Sequence, residues 1–422
     1  MSVGGGGLSG KEAPSLSVPY RYIAAATLAL AVFAGALPFQ RAALLGLFVT
    51  PRALFLVHLV TLGWITMTIA GASLQLVPVA LQVPVASERL AGSVFYLLLP
   101  GVAALLYGFW TAQSGWLIAG GVLLGLALTL YLLLMMATIM AGNAENLVAT
   151  HVIVAFAYLS LNLIMGLLLV FNRRYGFLGT SHIPSIGAHG AAGLGGFFTI
   201  LTYGVGYKLM GMFTLAEDLI DHRVAWAQLS LTSAGLLLVG GMAFTGGTRL
   251  LVTVALGLVL AGAVLFAGQI TQLYRRRRRR LPDIIYPFVL TAVLLWIVAL
   301  GIAVTAAARR DPADAWTWRV ALWLGLFGWI GTMIMGHMYK INTFLAWLHK
   351  YADLVGRAEV PKLESLYEPA LGRVGWAFYL AGVLLVAAAM VAGSSGVALI
   401  GSLALDLGVA LYLVNMGLIF VR

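Results

Sequence analysis

Seven histidines and no cysteine set the chemistry open to this chain. Without thiolates there is no structural disulfide, no thiolate-bound zinc, no iron–sulfur cluster and no covalent c-type haem attachment. A metal has to be held by imidazole, a few carboxylates, or backbone and hydroxyl oxygen. With 14 Asp+Glu in 422 residues, carboxylate-rich cation cages are too costly to repeat. His58, His151, His189 and His337 fall within or at the start of apolar stretches. An ionisable group there is a functional candidate by default, the alternative being a ring that only bonds a backbone carbonyl. His182, His222 and His349 fall in loops and read as solvated or capping residues.

The elements that carry these rings are set by composition. The chain is 62% hydrophobic and 9% charged, with mean hydropathy +1.00. A soluble domain carries about 25% charged residues, so this surface cannot be wetted all round. The class is an all-α polytopic membrane protein. Stretches long enough to cross a bilayer lie at 22–40, 54–80, 92–112, 115–141, 147–172, 187–213, 225–245, 249–272, 284–307, 318–347, 371–392 and 396–420. Residues 1–19, rich in Gly and Ser, read as a disordered tail without a secretory signal, and 20–422 as one transmembrane domain. The net charge of +11 does not imply nucleic acid, because six of the 25 Lys+Arg form one run, Arg275–Arg280, between two spans. Such a run anchors to anionic head groups on the cytoplasmic side. With the N-terminus inside, 17 basic residues face that side and 8 the other. The expectation is the cytoplasmic (inner) membrane with both termini cytoplasmic.

An internal repeat orders the spans. Span 2 reads GWITMTIAGASLQLV from Gly63, span 6 GFFTILTYGVGYKLM from Gly196, and span 10 GWIGTMIMGHMYKIN from Gly328. Each has Gly then an aromatic, a second Gly eight positions on (Gly71, Gly204, Gly336), and a long polar side chain at twelve (Gln75, Lys208, Lys340). The matches are ungapped and four spans apart, so each unit re-enters the membrane in one orientation. Parallel repeats are related by an axis along the membrane normal. Twelve helices in three pseudo-threefold four-helix arcs are expected.

The repeat also serves as a ruler. His58 lies five residues before its leading Gly, His189 seven before, and His337 nine after. At 1.5 Å per residue, His58 and His189 differ in depth by roughly 3 Å, whereas His58 and His337 differ by roughly 21 Å. The first pair can meet across one iron or copper. His151 and His337, both toward the inner face, form a second and weaker candidate pair. Gly193, in the run GAHGAAGLGG around His189, leaves room for a flat macrocycle. Arg52 precedes His58 on the outer side, where it either pairs with a propionate or anchors the helix. Lys208 and Lys340 read as snorkelling residues, and Tyr207 and Tyr339 as interfacial ones. Asn143, Glu145 and Asn146 read as the turn and N-cap before span 5.

Three arcs with His at the starts of spans 2 and 6 resemble subunit I of the haem–copper oxidase superfamily. The strings HLVTLGWITMTIAGASLQLVPV and GWIGTMIMGHMYKI are similar to the NnrS-type membrane haem proteins, a diverged relative linked to nitric oxide stress. The likeness covers roughly residues 20–420 as architecture and spans 2, 6 and 10 as motif. It implies a non-covalent haem, b-type or related, with copper as a further option. In those oxidases span 2 and span 10 hold the low-spin haem, spans 6 and 7 the copper, and a second span 10 His the reactive haem. Here span 7 has no His and span 10 has one buried His, so the three-His copper centre cannot be assembled. The expected function is electron transfer with a redox partner protein, or handling of nitric oxide or another diatomic gas; if an enzyme, the chain is an oxidoreductase. The alternatives are a cofactor-free transporter or channel, and a structural subunit of a respiratory complex.

Overall fold

The computed structural model describes residues 14–142, 146–279, 283–309 and 315–422. Lys11, Asn143, Glu145, Arg280 and Arg310 lie outside the described residues, as does the tail through residue 13. Eleven described helices are long and apolar enough to cross a membrane. They are Ser17–Phe39, Pro51–Pro78, Glu88–Thr111, Ser114–Ala141, Leu147–Tyr175, His222–Met242, Arg249–Arg275, Ile285–Ala308, Trp316–Leu354, Pro369–Ala392 and Ser395–Val421. In chain order these are spans 1–5 and 7–12. Span 6 is helical through three consecutive pieces, His182–Gly190, Ala191–Ile200 and Leu201–Thr214. It stands outside the eleven because Gly190, Gly193, Gly195 and Gly196, with His189, dilute its hydropathy.

Local signals start these helices where the chain needs them. Thr50, Ser87, Asn146, Asp221, Thr248 and Ser394 each accept a first-turn backbone N–H through the side chain. That satisfies donors that lipid would leave unpaired. Asn146 is therefore the N-cap that its position before span 5 suggests, holding Ala149 N at 2.7 Å. Span 10 runs further than its apolar stretch, through Tyr351. His349 consequently sits on the last turn of that helix and not in a loop.

The same packing recurs in each third of the chain. Span 1 lies on span 2, span 5 on span 6, and span 9 on span 10. Spans 3 and 4, 7 and 8, and 11 and 12 form the tightest hairpins. Glycine permits that closeness: a Cβ on Gly120 would sit 2.4 Å from Leu105 N, and one on Gly408 2.4 Å from Tyr379 N. Spans 4 and 5, 8 and 9, and 12 and 1 then join neighbouring thirds, so the ring of helices closes on itself.

Spans 2, 6 and 10 meet at the centre, and each carries one π-helical segment: Leu59–Thr66, Ala191–Ile200 and Leu324–Gly331. In each a threonine hydroxyl donates to the carbonyl five residues back. Thr66 reaches Thr61 at 2.7 Å, Thr199 reaches Leu194 at 2.7 Å, and Thr332 reaches Phe327 at 2.8 Å. The centre is filled with aromatic rings. Trp329 is fully buried, stacks on Trp296 at 6.0 Å, and donates its indole N–H to Thr199 Oγ1 at 3.0 Å. Trp296 donates to the Tyr203 hydroxyl at 2.8 Å.

Candidate functional site

His58 is the last α-helical residue before the span 2 π-segment, and His189 lies two residues before the span 6 π-segment. These equivalent stations bring the two imidazoles to 6.4 Å between ring centres, with planes 17° apart. Each ring is held by one nitrogen. His58 Nδ1 donates to Leu54 O at 2.8 Å, one turn back on its own helix. His189 Nδ1 donates to Asn162 O at 3.1 Å, across to span 5. A carbonyl can only accept, so in each neutral ring the proton sits on Nδ1 and Nε2 keeps its lone pair. Among the described residues neither Nε2 makes a hydrogen bond. A second-shell carbonyl that fixes the tautomer is how ligating histidines are commonly oriented.

The separation of the ring centres, with the rings stacked, is of the size that a shared metal would give. With a metal–nitrogen bond of about 2.0 Å and about 1.1 Å from ring nitrogen to ring centre, two trans imidazoles stand about 6.2 Å apart. Both rings are partly exposed at the helix surface. Around them the walls are flat or small. Phe109 of span 3 lies 4.7 Å from the His58 ring. Gly166 of span 5 abuts His189, where a Cβ would fall 3.1 Å from Cε1. Gly187 and Gly190 have open space beside them. Gly193 does not: Asn162 fills its side, 3.2 Å from where a Cβ would lie. The space expected at Gly193 is thus filled, and the glycines with open space are the exposed Gly187 and Gly190. Arg52 is exposed and stacks over Trp110 at 3.3 Å, next to the Phe109 that touches His58.

The other histidines lie elsewhere. His151 is fully buried and engaged at both nitrogens, Nδ1 donating to Leu147 O at 2.8 Å and Nε2 lying 3.0 Å from the Gln228 side-chain amide, which satisfies the neutral ring by turning its NH2 toward it, while the ring meets Tyr207. That surround is a satisfied core histidine. His337 donates from Nδ1 to Met333 O at 2.8 Å, and its buried Nε2 has no partner. His182 takes Asn172 Nδ2 on its Nδ1 at 3.0 Å, and His222 opens span 7 beside its cap Asp221. Among the described residues no group of three or more His, Cys, Asp or Glu forms a metal cluster.

Several polar side chains that the sequence left as solvated are in fact paired. Lys340 forms a nearly buried ion pair with Asp283 at 2.5 Å, and Lys208 pairs with Glu217 at 2.5 Å. Arg278–Asp218, Arg279–Glu364 and Arg422–Glu368 lie at the same end of the bundle. Both lysines are pulled toward carboxylates that single-stretch hydropathy cannot place. The Arg278 guanidinium holds the Asp218 carboxyl below its ordinary range. Tyr207 and Tyr339 are buried, not interfacial, and bond Gln228 and Asn415. Gln228, which meets His151 through its side-chain amide, went unread because a lone amide in an apolar helix carries no spacing signal, and the Asn162 contact with His189 is made by a backbone carbonyl that any residue would supply.

A search of known protein families finds no profile that matches this chain, and no curated protein matches it either. The class defined by the fold is an all-helical, multi-pass membrane protein. Its candidate site is the imidazole pair of spans 2 and 6.

Proposed function

We propose that this chain is a haem–copper-oxidase-like membrane protein of three four-helix arcs that holds a non-covalent haem between His58 and His189 and serves in electron transfer. The carrying observation is the 6.4 Å separation of two near-parallel imidazoles, each Nδ1-anchored with Nε2 free. Recurrence of the packing, of the π-segments and of their threonine bonds in spans 2, 6 and 10 supports the arcs. When bound, haem iron supplies reversible one-electron chemistry. His58 and His189 would hold the haem through their Nε2 atoms, with their tautomers fixed by Leu54 O and Asn162 O and one side of His58 covered by Phe109.

Two protein ligands would leave a haem iron no open coordination position, which favours electron transfer over handling of a diatomic gas. Copper held by the same two nitrogens is the other cofactor that the donor set admits. The central axis packed by Trp329, Trp296 and Tyr203 weighs against a cofactor-free transporter or channel through the middle. We also infer that the end bearing the Arg run, the ion pairs and both termini faces the cytoplasm, following the basic-residue bias.

Absorption spectra and metal analysis of purified, haem-supplemented protein test the proposal. A Soret band with low-spin character, lost in both His58→Ala and His189→Ala, is expected. Absence of the band in the wild-type chain refutes the haem, and metal analysis then tests copper.

A further inference from the structure

A second site lies between spans 1, 2, 10 and 11, at the same end of the bundle as His58. It is a cavity of about 60 Å³ walled by apolar side chains, among them Phe33, Leu44, Phe327 and Met390, with one charged residue, Arg319. Where a water needs ~10–15 Å³ of such space, this cavity takes a run of about four methylenes. A wall with a single polar residue falls short of the two to four partners that hold a water, so an apolar chain is the matching occupant of its apolar part.

Arg319 specifies the other end of that occupant. Its Nη1 donates to Leu45 O and to Gly46 O (2.6 Å), the carbonyl end of the short helix Arg41–Leu45. Its Nε is buried without a partner, and no described residue accepts from Nη2. The Nε–Nη2 edge of a guanidinium matches two oxygens of a phosphate. Arg41, on the same short helix, adds positive charge. The position is also the third counterpart of the histidine stations. Trp323, the last α-helical residue before the span 10 π-segment, stands where His58 stands in span 2, and it lines this cavity.

We propose that this cavity binds an acidic phospholipid, its acyl chain in the apolar pocket and its phosphate on the Nε edge of Arg319. The site does not rest on the haem reading, since it shares no ligand with the His58–His189 pair.

Trp323 supplies the probe. The full chain is reconstituted in phosphatidylcholine vesicles containing a minor fraction of either acyl-brominated phosphatidylglycerol or acyl-brominated phosphatidylcholine. The Trp323 component of quenching is the difference between wild type and Trp323→Phe. Brominated phosphatidylglycerol should be preferred about five-fold, the advantage one cation gives an anionic lipid. Arg319→Gln should erase the preference. Ala43→Phe, which fills the cavity and keeps the guanidinium, should remove the quenching if loss of the Arg41–Leu45 anchor prevents Arg319→Gln from folding. Equal quenching by the two lipids in the wild type overturns the proposal, as does a preference that survives in folded Arg319→Gln or Ala43→Phe. None of these outcomes bears on the Soret band.

Discussion

Among the histidines of the spans, what separates His58 and His189 from His151 is the second nitrogen. His58 and His189 spend Nδ1 on a carbonyl and keep Nε2, whereas His151 spends both. Their substitutions should therefore part company. His58→Ala or His189→Ala should lower haem occupancy at least about ten-fold, since loss even of a ligand's supporting partner costs that much. His151→Ala should leave the spectrum intact. It strips partners from Leu147 O and Gln228 and should cost about 1–3 kcal/mol of stability, read as a lower thermal midpoint in detergent. A haem band that follows His151 instead would place the site elsewhere. Depth along the repeat was legible in the sequence, and it paired two rings that the fold brings to 6.4 Å because both precede their π-segments. The tautomers were not legible, since they depend on Leu54 O and Asn162 O, one of which comes from another helix.

At the level of the helix, the π-segment is the device that the sequence hid. Hydropathy shows span 2, 6 and 10 as uniform apolar runs, and the Gly-aromatic pattern aligns them, but nothing in a 3.6-residue period announces a wider turn. The signal lay in Thr66, Thr199 and Thr332, each close behind the leading Gly, whose hydroxyls satisfy a carbonyl five residues back. Such segments are uncommon and occur mostly at functional sites, here just inside the two histidine stations. Thr199 has a second duty, accepting the Trp329 indole. Thr199→Val should thus strand a buried donor and an acceptor and destabilise by about 2–3 kcal/mol, while Thr66→Val, losing one bond, should cost about 1 kcal/mol. Equal midpoints for the two variants would argue against the interhelical role. The loop after span 6 offers a pH test. Arg278 lowers the Asp218 pKa, so the stabilisation is complete above the ordinary carboxylate range and is lost as pH falls through the lowered folded value. Hydrogen exchange in the loop around Asp218, corrected for intrinsic rate, should rise only in that acid window, and Asp218→Asn should abolish the dependence.

For the molecule as a whole, composition alone dictated an all-helical membrane fold, and the repeat dictated which helices sit at equivalent positions. What it left open was how charge is distributed in space. The acids are scattered in sequence, yet Glu217, Asp218, Asp283, Glu364 and Glu368 converge on basic partners at one end. The opposite end keeps Arg41, Arg52 and Arg319 without a described ion pair. A bundle with its ionic network at one pole and an imidazole pair near the other has that pair displaced toward one membrane face. Under the proposed haem reading, sidedness decides which compartment would exchange electrons with the pair. The absence of native cysteine makes that directly measurable, because an introduced thiol is the only one present. Gln113, exposed in the turn between spans 3 and 4, and Glu359, exposed in the loop between spans 10 and 11, report opposite faces. In intact cells a membrane-impermeant maleimide should label Gln113→Cys freely and Glu359→Cys only after lysis. The reverse pattern would turn the bundle over and put the His58–His189 pair on the cytoplasmic side, where its electron donor would have to be cytoplasmic as well.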